Sequence, residues 1–314
     1  MLTLFLIIFT FVELNCENLF DTQKDSVKHD EEYTEQSLRH WTKRRYYEKL
    51  HNIGREIISC AELHTSNNQE GHIPDMVALC EVENDSVMKH LTRSTMLWSY
   101  HYEYLITHSP DTRGINTALL YNPLSFKLLE SKDIRVSLPD NRPTRDILYA
   151  KGLIVSLDTL HVFVVHSPSR RGGERASRKN RMAVAERVSE LIDSLPPKAS
   201  IIVAGDFNDY SGDGPLRHLA EHGLTEISKD AVGYYNQTKG TYFYNGSWNS
   251  LDHIFLSPTL LPSFISCDIN DHCSLMELDQ RGTAVPKRSY RGIKYNNGFS
   301  DHLPLVARFN INIP

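Results

Sequence analysis

The chain has 314 residues, 40 % hydrophobic and 23 % charged, with 16 Gly and 14 Pro. These are globular proportions, and they exclude disordered, collagen-like and coiled-coil chains. Net charge is −5 from 34 basic and 39 acidic residues, so the molecule as a whole does not draw in nucleic acid through its field.

The longest apolar run, Met1 to Val12, is broken by Thr3 and Thr10 and is shorter than the ~20 residues a bilayer crossing takes, so no membrane span is expected. It has no basic residue before it and no small-x-small cleavage site after it. It is therefore read as the first strand, over Leu4 to Leu14. The expected compartment is the cytoplasm, or a secreted or periplasmic one if a signal segment precedes this start.

Further along, Tyr46, Leu50, Ile53, Ile57 and Ala61 recur at steps of three and four and predict a helix. Strands follow at Met76 to Cys80, Ala118 to Tyr121, Leu153 to Leu157, His161 to Val165 and Ile201 to Ala204. A second helix carrying Ala185, Val188, Ile192 and Leu195 precedes the last of these, after an Arg-rich start. Ile254 to Leu256 and Leu305 to Phe309 complete the strands. Asp21 to Arg39 and Ser266 to Asn297 are irregular, as functional rims often are. No linker or repeat divides the chain, so one α/β domain over 1–314 is expected.

Polar residues collect where these apolar strands end, which is where an α/β scaffold presents chemistry. In order they are Asn15 and Glu17, Glu81, His166 with Ser167-Pro168-Ser169, Asp206 and Asn208, Asp252, and Asp301 with His302. Each has an ordinary reading as a turn former or cap. Together, two imidazoles, several carboxylates and two amides suit metal-assisted phosphoester hydrolysis, which needs a hard cation on oxygen ligands, a base for water and donors to phosphoryl oxygens. The cysteines Cys16, Cys60, Cys80, Cys267 and Cys273 are odd in number and scattered, so free thiols are expected. Cys267, His272 and Cys273 match no zinc spacing.

Basic residues concentrate in Arg170, Arg171, Arg175, Arg178, Lys179 and Arg181, and again in Lys287, Arg288, Arg291 and Lys294. Such runs are usually solvated faces.

The ordered set Asn15, Glu81, His166, Gly205-Asp206-Phe207-Asn208, Leu251-Asp252 and Ser300-Asp301-His302 resembles the endonuclease/exonuclease/phosphatase superfamily, the deoxyribonuclease I-like proteins. The likeness runs from about Phe11 to Phe309. Asn15-Cys16-Glu17-Asn18-Leu19-Phe20-Asp21, His166 to Gly173 and Trp248 to Asp252 resemble a branch common in Bacteroidetes-type bacteria. Cys80 stands where many members have Gln, and Leu14 where an aromatic is frequent; neither change removes a ligand.

The resemblance implies a four-layer sandwich of two packed mixed sheets flanked by helices, with the site at one end. It implies Glu81 as the main ligand of Mg²⁺ or Mn²⁺, with Asn15 and Asp301 near the metal and Glu17 a weaker candidate. Asp206 would activate water, and Asn208 would hold that carboxylate or a phosphate oxygen. His302 would donate to the phosphoryl oxygen, fixed by Asp252, with His166 as a second donor. Ser169, Arg170 and Arg171 would bind substrate phosphate. The implied activity is phosphodiester or nuclease-type hydrolysis. Small-molecule phosphatase chemistry on an inositol phosphate or lipid headgroup, or a binding protein that has lost catalysis, are the alternatives. Nucleic acid is thus one substrate class among several, and nothing in the sequence speaks to oligomeric state.

Overall fold

The computed structural model describes residues 5–63 and 72–313. Leu4, at the start of the first predicted strand, and His64 lie outside them. The chain lays down one sheet, crosses to build a second, and returns to finish the first. β1 (Phe5–Leu19), β2 (Met76–Val82), β3 (Glu103–Ile106) and β4 (Asn116–Tyr121) begin the first sheet. β5 (Phe126–Ile134), β6 (Ile147–Ile154), β7 (Thr159–His166), β8 (Ser200–Asp206), β9 (Thr225–Glu226) and β10 (Asp252–Leu256) form the second. β11 (Phe264–Ile269) and β12 (Leu305–Ile313) return to the first, giving the orders β11-β12-β1-β2-β4-β3 and β5-β6-β7-β8-β10-β9.

Each sheet has one parallel pair, β1 with β2 and β7 with β8; the other neighbours are antiparallel. Parallel strands need a long crossover. α1 (Lys43–Ser59) lies between the first pair and α3 (Glu174–Asp193) between the second. The central core lies between the sheets, where Phe9, Phe11, Leu119, Leu148, Val162, Val164, Ile202, Ile254 and Leu305 meet. On the outer faces, Leu50, Ile53 and Ile57 of α1 pack with Val12 and Leu14, and Val184 and Val188 of α3 pack with Phe163 and Val203. Each such side chain contributes about 1.5–3 kcal/mol on burial. Two sheets and two helical layers make the four-layer sandwich, and among the described residues no helix is long and apolar enough to cross a membrane.

The structure differs from the sequence reading at several elements. The strand expected over Leu153 to Leu157 ends at Ile154, and Leu157 takes a left-handed φ of 68° in the turn beyond it. β3, β5, β9 and β11 were not predicted, nor were α2 (Asp85–Arg93) and α4 (Gly214–Glu221). The irregular stretch after Ser266 contains the end of β11 and the short paired strands Met276–Leu278 with Ala284–Pro286 and Tyr290–Arg291 with Lys294–Tyr295. All five cysteines are free thiols.

Glu56 faces inward from α1, fully buried, and among the described residues neither carboxylate oxygen has a hydrogen-bond partner. Burial pushes this carboxyl from 4.5 up to about 8. Between those values the folded chain keeps a proton that the unfolded chain releases, so stability falls as pH rises through this window. Melting temperatures of wild type and Glu56→Gln are expected to diverge with pH, the variant losing this part of the decline.

Candidate active site

The sheets bring their polar strand ends together at one end of the sandwich. In the parallel pair β7/β8, Val165 lies opposite Gly205 and His166 opposite Asp206. Gly205 has φ 146°, and a Cβ there would sit 1.8 Å from the Val165 carbonyl oxygen, so only glycine fits this approach. Asp252, at the start of β10, lies opposite Asp206 on the other side.

Two hydrogen bonds between side chains then cross from sheet to sheet at the site. Asn15 on β1 donates from Nδ2 to Asp206 Oδ2 at 3.0 Å. His302, just before β12, is 2.8 Å through Nδ1 from Asp252 Oδ2, which also accepts from the Thr241 hydroxyl. The His302 ring lies against Tyr242, centroids 4.7 Å apart. Asp206 Oδ1 accepts from the backbone N–H of Asn208 at 2.9 Å, whereas the Asn208 side-chain amide donates to the Ser167 carbonyl at 3.1 Å.

The electrostatics separate these groups. Burial and the Asp252 charge push the Asp206 carboxyl up to about 7, against the opposing pull of His302 and the Asn208 N–H. Burial disfavours a charged His302, but Asp252, Asp301 and Asp206 outweigh it and hold the ring well above the ordinary histidine range. Burial, with Arg145 and Arg113, pushes His166 well below that range, so it stays a neutral ring. Its Nε2 lies 3.7 Å from Asp206 Oδ2 and 3.8 Å from Glu81 Oε1. Beneath them Glu13 on β1 is fully buried without a hydrogen-bond partner among the described residues, its carboxyl raised by burial and by Asp252 and Asp206.

Glu81 takes a left-handed φ of 63° at the end of β2, and its Oε2 accepts from the Asn18 N–H at 2.9 Å. Its Oε1 faces the cleft beside Arg113 at 3.7 Å. Arg288 donates to Asp301 Oδ2 at 2.9 Å and to Glu17 Oε1 at 3.2 Å, and Glu17 Oε2 accepts from the Ser289 N–H at 2.7 Å. Buried Lys49 stands 3.7 Å from the same Glu17 oxygen, so Glu17 is held by two cations. Asn15 is occupied at both ends, since its Oδ1 accepts from the Glu17 N–H at 2.9 Å. Glu81 Oε1 and Asp301 Oδ1 remain the carboxylate oxygens of the cleft that accept no hydrogen bond among the described residues, a hard donor set that fits Mg²⁺ or Mn²⁺. Asp206, Asp252 and His302 offer donor atoms within 4.8 Å of one another, but the His302–Asp252 hydrogen bond already uses one atom of each.

The cleft encloses about 600 Å³ and is lined by Ser169, Arg170, Arg171, Tyr210, Tyr242 and Tyr244 beside the groups above. The Arg170 fork is turned to the protein, with Asp213 at 2.7 Å and the Asn208 carbonyl at 2.9 Å, and its cation lies 3.9 Å over the Tyr210 ring. Arg171 is exposed. A larger hollow of about 720 Å³ lies at the opposite end of β7 and β8 and includes none of these groups. Sequence reasoning passed over Arg113, Arg145, Tyr242 and the pairing of Arg288. Only the alternating Thr241-Tyr242-Phe243-Tyr244 before Asn245-Gly246 carried a signal, that of a hairpin.

A model of the endonuclease/exonuclease/phosphatase family matches residues 10–310. The chain belongs to this family. Among solved structures it is similar to a family member from Bacteroides thetaiotaomicron, with TM-score 0.62 and 16 % identity over 98 % of both chains. It is also similar to D. rerio TDP2 complexed with a single-strand DNA product, with TM-score 0.59 and 18 % identity over 97 % of this chain and 99 % of that one. The human Nocturnin catalytic domain with bound sulfate gives TM-score 0.57 and 17 % identity, over 98 % of this chain and 96 % of that one. At these identities the likeness carries the fold alone. No curated protein matches the chain.

Proposed function

We propose that this family member is a divalent-metal-dependent phosphodiesterase of nuclease type, a single-domain enzyme that cleaves by in-line attack of water. One observation carries the reading: Asp206, poised near neutrality, and a charged His302 lie in one buried cluster beside Glu81. Environments that push two titratable groups apart in this way assign a base and an acid. Asp206 takes the proton of water as its oxygen bonds to phosphorus and the ester bond to the leaving oxygen breaks. Asn15 and the Asn208 N–H keep the Asp206 carboxylate aimed. His302 has spent Nδ1 on Asp252, so Nε2 is left to donate to a phosphoryl oxygen. Neutral His166 serves as a second donor, while Ser169 and Arg171 meet a phosphate at the mouth and Arg170 shapes that wall. Glu81 with Asp301 would hold Mg²⁺ or Mn²⁺, which would supply positive charge against the negative charge developing in the reaction.

The test is a panel of single-stranded DNA, RNA, bis(p-nitrophenyl) phosphate and inositol phosphates in Mg²⁺, Mn²⁺ or EDTA. Diester cleavage abolished by EDTA is expected. Phosphate release from inositol phosphates alone would move the enzyme to the small-molecule class. Binding without turnover would make it a binding protein on this fold. Glu81→Gln is expected to weaken Mn²⁺ binding, followed by electron paramagnetic resonance, at least about tenfold with an unchanged circular dichroism spectrum.

A further inference from the structure

The basic stretch from Arg170 to Arg181 is divided by the fold into two sets. Arg170 turns to Asp213, and buried Arg181 reaches Asp209 at 2.7 Å. Arg171, Arg175, Arg178 and Lys179 are exposed, and among the described residues none of the four forms an ion pair. Arg171 lines the cleft. The other three sit in the first two turns of α3 at spacings of three and four, which puts them on one helix face. Arg178 extends over the start of α4, where a Cβ on Gly214 would lie 2.7 Å from its guanidinium. A row of unpaired cations therefore leaves the cleft mouth and continues along α3.

A small phosphoester held inside a cleft of about 600 Å³ would not extend to Arg175, Arg178 and Lys179. These residues can serve a substrate only if it extends beyond the reacting phosphate and carries further negative charges. The cleft walls add a second feature: Tyr244 is 59 % exposed there and offers its ring to planar groups, while Tyr210, 39 % exposed, has one face covered by the Arg170 guanidinium. Basic rows beside exposed aromatic rings are the arrangement that binds single-stranded nucleic acid without reading its sequence. We propose that this face of α3 is a track for the phosphate backbone of a single-stranded nucleic acid whose scissile phosphate enters the cleft. The proposal rests on the phosphodiesterase reading of the cleft and adds that the substrate is single-stranded and lies along α3.

The test uses the full chain and the triple variant Arg175→Gln/Arg178→Gln/Lys179→Gln. Anisotropy of a fluorescein-labelled oligothymidylate is followed in EDTA over a range of NaCl concentrations, alongside Mn²⁺-dependent hydrolysis of bis(p-nitrophenyl) phosphate. The variant is expected to bind the strand about tenfold more weakly or worse, with the log–log salt slope reduced by about 2, since each lost phosphate contact removes about 0.7. Its hydrolysis of the small diester is expected to match wild type. Equal strand affinity and slope in the two proteins would overturn the track. So would a wild type that ignores the strand but binds phosphatidylserine vesicles through these residues, which would give the face to a membrane surface. If strand binding depends on α3 while no diester is ever hydrolysed, the track stands and the phosphodiesterase reading falls.

Discussion

Asp206→Asn is expected to lower kcat on a phosphodiester by about 10³-fold while the protein melts as a folded domain. The substitution removes the proton acceptor but keeps the size of the side chain, and its single carbonyl oxygen can accept from the Asn208 N–H or from the Asn15 amide but not from both. Because the carboxyl is buried and lies opposite Asp252, losing its charge does not weaken the fold. His302→Ala is expected to match this loss, and the double variant to lose little more, as groups acting in one step do. Asp252→Asn separates positioning from proton transfer: without that carboxylate the His302 ring loses a main support of its charge, so the alkaline limb of the pH–rate profile moves to lower pH. An Asp206→Asn enzyme with wild-type kcat would remove this carboxyl from the mechanism.

Arg181→Met is expected to destabilise the protein by about 3–5 kcal/mol, the usual loss when one member of a buried ion pair is removed. Arg181 and Asp209 are each 1 % exposed and approach to 2.7 Å, close enough for an ion pair though the angle is not that of a hydrogen bond. Arg181 also donates to Ser177 Oγ at 2.7 Å. Burial already lifts the Asp209 carboxyl above its ordinary value against the pull of Arg181. Without the guanidinium it rises further, so the variant's deficit grows with pH as the folded state resists losing that proton. Urea unfolding at pH 6 and pH 8 checks both the size and the trend. Arg181→Met combined with Asp209→Leu should recover part of the loss, since an apolar pair leaves no buried charge alone.

How legible the fold was follows from how each element is buried. β2, β7 and β8 are covered on both faces and read as unbroken apolar runs, as did the inner part of β1. β5 alternates exposed and half-buried residues over Lys127-Leu128-Leu129-Glu130-Ser131 and is buried only at its ends, Phe126 and Ile134, and β9 has two residues, so neither offers such a run. α2 is marked chiefly by Asn84, which caps it by accepting from the Val87 N–H at 3.0 Å. At the site, the residues at strand ends were readable because a strand end is a local feature. Arg288 was not, because its pairing with Glu17 joins positions 271 residues apart. Glu13 was hidden inside an apolar run, although its alternation with Phe9 and Phe11 points it between the sheets.

Asn15 to Asp206 and His302 to Asp252 are rivets between two plates, for each fastens a group on one sheet to a group on the other. On the proposed mechanism, turnover is a gauge of plate separation. A swollen acid state, about 10–20 % larger in radius with its strands intact, would part both rivets at once. Such a chain would keep its far-ultraviolet circular dichroism and yet be expected to be inert, each half of the proposed catalytic set still in place on its own sheet.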